Sequence, residues 1–285
     1  MLSSPYFTFL LGEDREPVIV HSQVMSSLSE PLDLLINGPM KEAQEKCVAL
    51  PHFEKDIFLR LVEFAYRGNY TMRPCPDDPQ ALEDMKSLEV EEKVRNAVDT
   101  EERWQKIQKE MEKTTDLLTR WTDRDYLPRL KVHPGGRSAL HFSTWGMGSP
   151  DRDHIVMFLT HAKIYCLADY YMITDLKDLA LHKLHQALKR CMGVNFLSMY
   201  KRIQDIVDLL AYLYNSGNIQ NRGVTGPFNA LRREVVQYVV IHLDYIEVNP
   251  SFQELLCGEG ELSVDLVFWL SKELHAEKEK AQAAI

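Results

Sequence analysis

At 285 residues, with 45% apolar and 26% charged residues, the chain has the make-up of a soluble globular protein holding one large domain or two modest ones. A formal charge of −9 without any Lys/Arg-rich block disfavours a phosphate backbone, so nucleic acid is not an expected partner. The five scattered cysteines (47, 75, 166, 191 and 257) form no CxxC pair. Reduced thiols and a cytoplasmic or nuclear setting are therefore expected. The opening MLSSPYFTFLLGED has no basic n-region and its apolar run stops at Gly12. The longest apolar run, 235–243, is interrupted by Gln237 and His242 and is too short for a membrane span.

In chain order, residues 7–11 and 17–20 predict a strand pair around the turn Gly12-Glu13-Asp14-Arg15. Ser22 is the expected N-cap of a first helix carrying Val24, Met25 and Leu28. Pro31 opens a second helix with Leu32, Leu35 and Ile36, which Asn37-Gly38-Pro39 ends. Val48, Ala49 and Leu50 read as a short strand stopped by Pro51. From Glu54 the period changes: Ile57, Leu61, Phe64 and Phe58, Val62, Tyr66 form two adjacent rows on one helix. Glu54, Lys55, Arg60, Glu63 and Arg67 are its expected wet edge, and Gly68 its end.

The pattern stops at the Pro-rich stretch 73–79. Residues 80–124 are strongly charged with a narrow apolar stripe (Leu82, Met85, Leu88, then Trp104, Ile107, Met111, Leu118). Such a segment either binds a partner, lies as an arm against its own domain, or stays partly disordered; the exposure of Trp104 and Trp121 separates these. Residues 125–152 are loop-like. Helical periodicity resumes at Asp153 over 155–172, 176–188, 196–214, 228–246 and 262–274, with a turn-rich break at 215–226. The tail HAEKEKAQAAI has nothing to bury and is expected to fray.

Few residues suggest chemistry. His182 and His185 lie three apart on one helix and His161 on the helix before, but no further ligand stands at defined spacing, so a core-edge or surface pair is expected and no metal or other cofactor. His133, His141 and His154 read as solvated, and His21 as satisfying a backbone group. There is no GxSxG, and Pro134-Gly135-Gly136 lacks a phosphate-loop frame. The carboxylates of 77–124 read as a solvated face, so enzymatic activity is not expected.

The ordered pieces 7–12, 18–22, Leu28 and Ser29, 32–38, 40–42, 48–50 and 64–68, followed by HAKIYCLADYYMITDLKDLALHKLHQAL at 161–188, resemble the BTB/POZ domain, and specifically its fungal branch. The resemblance implies an α+β fold: a small sheet capped by helices over 1–72 and 153–190, then a mainly helical C-terminal extension over 191–285. Residues 73–152 are then a charged insertion of about eighty residues, where the family pattern has its next helices directly.

What the family implies for function is protein–protein recognition. Met40-Lys41-Glu42 falls where BTB adaptors that recruit a cullin scaffold carry a hydrophobic-x-Glu element. An exposed thioether fills an apolar groove while the carboxylate fixes register. Without that role the stretch is a loop between a helix and an edge strand, with Met40 partly buried. Val24, Met25 and Leu28 lie on the helix that the family packs against its two-fold mate, or else simply cover the sheet. The expected partners are a second copy, a cullin scaffold and a protein client; the alternative is a structural or transcription-regulatory oligomerisation scaffold without a ligase role.

Overall fold

A computed structural model describes residues 4–72, 121, 154–191, 196–215, 229–258 and 260–283. The fold is α+β: a small mixed sheet of three strands capped by several helices, followed by a long, mainly helical C-terminal region.

Strand β1 (Tyr6–Leu11) pairs antiparallel with β2 (Glu16–His21), from Tyr6 opposite His21 to Leu11 opposite Glu16. The connecting turn places Gly12 at φ 69° and Arg15 at φ 53°, and Arg15 N–H donates to the Gly12 carbonyl at 3.2 Å. Strict alternation sends Phe7, Phe9, Leu11, Val18 and Val20 into the core. Strand β3 (Cys47–Leu50) runs parallel on the other side of β1, giving the order β2-β1-β3. A parallel neighbour needs a crossover. Here it is made by α1 (Ser22–Ser26), α2 (Glu30–Asn37) and the single-turn α3 (Lys41–Glu45).

Helix α4 (Lys55–Arg67) buries Ile57, Phe58, Leu61 and Phe64, with the Phe58 ring 4.8 Å from that of Phe9, and ends at Gly68 with φ 68°. The expected wet edge is corrected at Arg60, which is buried and held by Asp56 at 3.5 Å and Glu63 at 3.9 Å along the helix. Conversely Tyr66, expected on the apolar face, is 42% exposed. Ser22 does not cap α1: His21 occupies that position, and the Ser22 hydroxyl donates back to the Pro5 carbonyl at 2.7 Å.

Helix α5 (His154–Tyr170) packs on α4 and, antiparallel through a tight turn with Met172 at φ 55°, on α6 (Thr174–Cys191). Its buried positions lie on several sides, because α4, α6 and α7 (Phe196–Asn215) all contact it. Helix α8 (Ala230–Ile241) follows, and the expected single helix over 228–246 is broken at His242 into α8 and the short α9 (Leu243–Ile246). Two helices close the chain, α10 (Pro250–Gly258), for which the sequence reading had no element, and α11 (Gly260–Ala283). Helix α11 runs to Ala283, so the tail continues as helix where fraying was expected.

One contiguous core runs from Phe7 in β1 to Leu266 in α11. The helical region is stapled by Arg232, whose guanidinium lies 4.4 Å from the Tyr214 ring, donates to the Leu213 carbonyl at 3.2 Å and pairs with Glu261 at 2.7 Å. The Tyr214 hydroxyl in turn donates to Asp265 at 2.7 Å, so α7, α8 and α11 are locked together through polar contacts. Among the described residues no helix is long and apolar enough to cross a membrane.

Candidate functional site

The corner between α2 and β3 presents Met40 and Glu42. Ser29 caps α2, its hydroxyl accepting from Leu32 N–H at 3.5 Å, and Pro31 sits in the first turn. The helix is stopped by Gly38, whose N–H donates to the Leu34 carbonyl at 2.9 Å. A Cβ at Gly38 would stand 2.1 Å from that carbonyl oxygen, so only glycine fits. Met40 is then the N-cap of α3 in extended backbone, and 62% of its surface is exposed, against the partly buried methionine of the loop alternative. Leu34, on α2, is also exposed. Glu42 lies half-buried in the first turn of α3, where a carboxylate favours the helix dipole. Lys46, left-handed at φ 52°, turns the chain into β3, and its carbonyl accepts from Thr8 N–H at 2.9 Å. The exposed thioether thus stands on a backbone fixed at both ends, with little ordering left for a partner to impose.

The other anticipated contact residues point elsewhere. Met25 has 0% exposure and Val24 is buried, while Leu28 is half-buried and packs against the same core. Within the single chain this face packs into the core, and α1 offers solvent chiefly Gln23.

The histidines divide by environment. Among the described residues no group of three or more His, Cys, Asp and Glu is placed to hold a metal. His161 is buried and bonded through Nδ1 to the Tyr70 hydroxyl at 2.8 Å. Burial, aided by the nearby Lys183 charge, pushes its pKa down to about 3, so a neutral ring meets the Tyr70 hydroxyl. His185, on the next helix, donates from Nδ1 to Glu234 Oε1 at 2.7 Å, and both side chains have 0% exposure. The pair is enclosed by the helices that carry it and ties α6 to α8. His182 and His154 are buried too, which corrects the surface or core-edge reading of the first and the solvated reading of the second. His21 bonds not to a backbone group but to the Tyr66 hydroxyl, which accepts from His21 N–H at 3.0 Å and pairs with Nδ1 at 2.7 Å.

Two features escaped the sequence reading. Trp121 has 0% exposure, its ring 4.4 Å from that of His185 and 5.5 Å from that of Tyr238. At this residue the charged segment is pinned to its own protein; Trp104, His133 and His141 lie outside the described residues. The second is the outer face of the sheet, where Tyr6 and Ile19 are exposed, with His21 5.0 Å from the Tyr6 ring. The alternation that buries Phe7 and Val18 carried that signal. No protein-family model, no curated protein and no solved structure matches the chain.

Proposed function

We propose that the chain is a BTB/POZ-type protein–protein interaction module of the fungal kind, and that the corner at residues 40–42 recruits a cullin scaffold of a ubiquitin ligase. The observation that carries this reading is the exposure of the Met40 side chain on a rigid corner, with Glu42 two residues on. The thioether enters an apolar groove of the scaffold and the carboxylate sets register at its rim. Further support comes from the element order, strand–strand–helices–strand–helix, with the α5–α6 pair packed on α4. In this reading the helices of 191–285 flank the scaffold contact, the client docks elsewhere, and the protein acts in the cytoplasm or nucleus without a catalytic step of its own.

A second reading, a self-associating structural or transcription-regulatory scaffold with no ligase role, is favoured by the apolar side chains on the outer sheet face, Tyr6 and Ile19. Co-purification from the native cell followed by mass spectrometry tests both. The first reading expects a cullin in the wild-type eluate and its loss with Met40→Ala/Glu42→Ala. The second expects only further copies of the chain. A strict monomer at tens of micromolar by light scattering contradicts the second.

A further inference from the structure

Helix α11 carries apolar residues on two opposite sides. Leu262 and Leu266 lie in the core, with Asp265 buried beside them, and α8 and α10 contact the helix. At the rotation of an α-helix, Val264, Val267, Ser271 and Leu274 fall on the other side. The three apolar members, and Leu270 beside them, are between 38% and 64% exposed. Spacings of three, four and three residues are those of successive a and d positions in a heptad, the pattern that another helix covers. From Leu270 to Gln282 none of the described side chains is buried, so the second half of α11 stands clear of the core. Helical turns without tertiary packing are marginal in water, and a neighbour along this stripe supplies what they lack.

We infer that this stripe pairs with the same stripe of a second copy, the two α11 helices running antiparallel about a two-fold axis. One register serves both copies: Val264 faces the partner's Leu274, and Val267 faces the partner's Ser271, so each layer sets a larger side chain against a smaller one. Leu270 meets the partner's Leu270 near the axis. Charge selects the direction. Lys278, next on the same stripe, comes beside the partner's Glu261 and over the partner's Gly260, where even an added Cβ would touch nothing within 4 Å. A parallel pair sets Lys278 against the partner's Lys278 on the seam itself, which like charge opposes. The four apolar side chains present about 400 Å² per copy, about 800 Å² for the pair, against roughly 1,200 Å² or more in a standard interface. The dimer is therefore a weak one, with a dissociation constant on the order of 100 µM. The inference rests neither on the Met40 corner nor on the outer sheet face, which lie on other elements.

The test is sedimentation equilibrium of the full chain from about 10 µM to about 1 mM, a range that brackets the expected constant. The wild type is expected to pass from monomer to dimer. Val267→Glu is expected to weaken the dimer at least about tenfold, and Ser271→Leu, which fills the polar position of the seam, to tighten it at least about threefold. Lys278→Glu is expected to weaken it at low salt; a tighter dimer from this variant overturns the antiparallel pairing. All three positions are exposed, so the variants fold as the wild type does and their melting curves check it. A monomer at every concentration, in the wild type and in Ser271→Leu, overturns the inference and self-association with it. A dimer that Val267→Glu leaves intact and Ile19→Lys dissociates overturns the inference alone and assigns self-association to the outer sheet face.

Discussion

The Lys183 ammonium lies 3.8 Å from the centroid of the Tyr70 ring while donating to the carbonyl of that same tyrosine and to Asn69 Oδ1 at 2.6 Å. This one side chain of α6 ties down the stretch that leaves α4, which Glu63 holds from the other side through Thr71 N–H at 2.8 Å. Burial, opposed by Glu63 and reinforced by Arg60, lowers the Lys183 pKa to about 7.

The sign of the resulting pH dependence is set by proton binding. Between pH 7 and about 10 the unfolded chain holds the Lys183 proton and the folded chain does not, so stability rises with pH over that window. Above about pH 10 the buried Tyr70, Tyr165, Tyr171 and Tyr214, their pKa values all raised by burial, keep protons that the unfolded chain loses, and stability falls again. Urea midpoints measured every half unit from pH 6.5 to 10.5 are expected to show the rise in wild type and its absence in Lys183→Met. An identical slope in both contradicts the assignment.

On the acid side the histidines dominate the difference between variants. His161 and His242 titrate at about 3 and about 4 when folded, mainly through burial, against 6.5 in the unfolded chain. Their contribution is present above pH 6.5 and is lost as pH falls through those values. For His242 alone the shift corresponds to about 3 kcal/mol between pH 7 and pH 3. His242→Phe is therefore expected to lose less stability on acidification than wild type by roughly that amount. Denaturant melts at pH 7 and pH 4 check it.

Trp121 fills the space between His185 and Tyr238 with no exposed surface. Trp121→Ala is expected to destabilise the helical region by about 3–5 kcal/mol, the range for emptying a buried aromatic site. Equilibrium unfolding measures this directly. A change below about 1 kcal/mol means that the indole is not part of the core.

Much of the fold was legible because it follows from short-range rules. The alternation in β1 and β2, the turn at Gly12, the Pro31 start and Gly38 stop of α2, and the Gly68 end of α4 all depend on residues within a few positions of one another. What was not legible depends on contacts distant in sequence. Arg60 is a partial exception: its partners Asp56 and Glu63 lie within one helical turn, but its burial comes from the packing of the whole helix. His185 looks like a surface or core-edge histidine until Glu234, forty-nine positions later, meets it. The sparse hydrophobic stripe around Trp121 gave no hint of which side would be buried. At the candidate site, the exposure of Met40 followed from no periodicity, since a one-turn helix of five residues is too short to show one. The family resemblance supplied the expectation about Met25, and its complete burial within the chain was not legible from the short helix that carries it.

Gly38→Ala is expected to cost about 2 kcal/mol, because the new Cβ meets the Leu34 carbonyl oxygen at 2.1 Å and either α2 or the corner must shift. The same displacement moves Met40, two residues on, so scaffold binding weakens along with stability. Thermal melts and binding measured on the same preparation separate this from Met40→Ala, whose exposed side chain leaves the melt unchanged within about 0.5 kcal/mol.

The most direct measurement is calorimetric titration of the purified full chain with a purified cullin N-terminal region from the same source, in wild type and in Met40→Ala/Glu42→Ala. The account predicts saturable wild-type binding that the double variant weakens by about 2 kcal/mol or more, roughly thirtyfold, with an unchanged melting curve. No heat of binding from the wild type, or equal affinity in the two proteins, contradicts it.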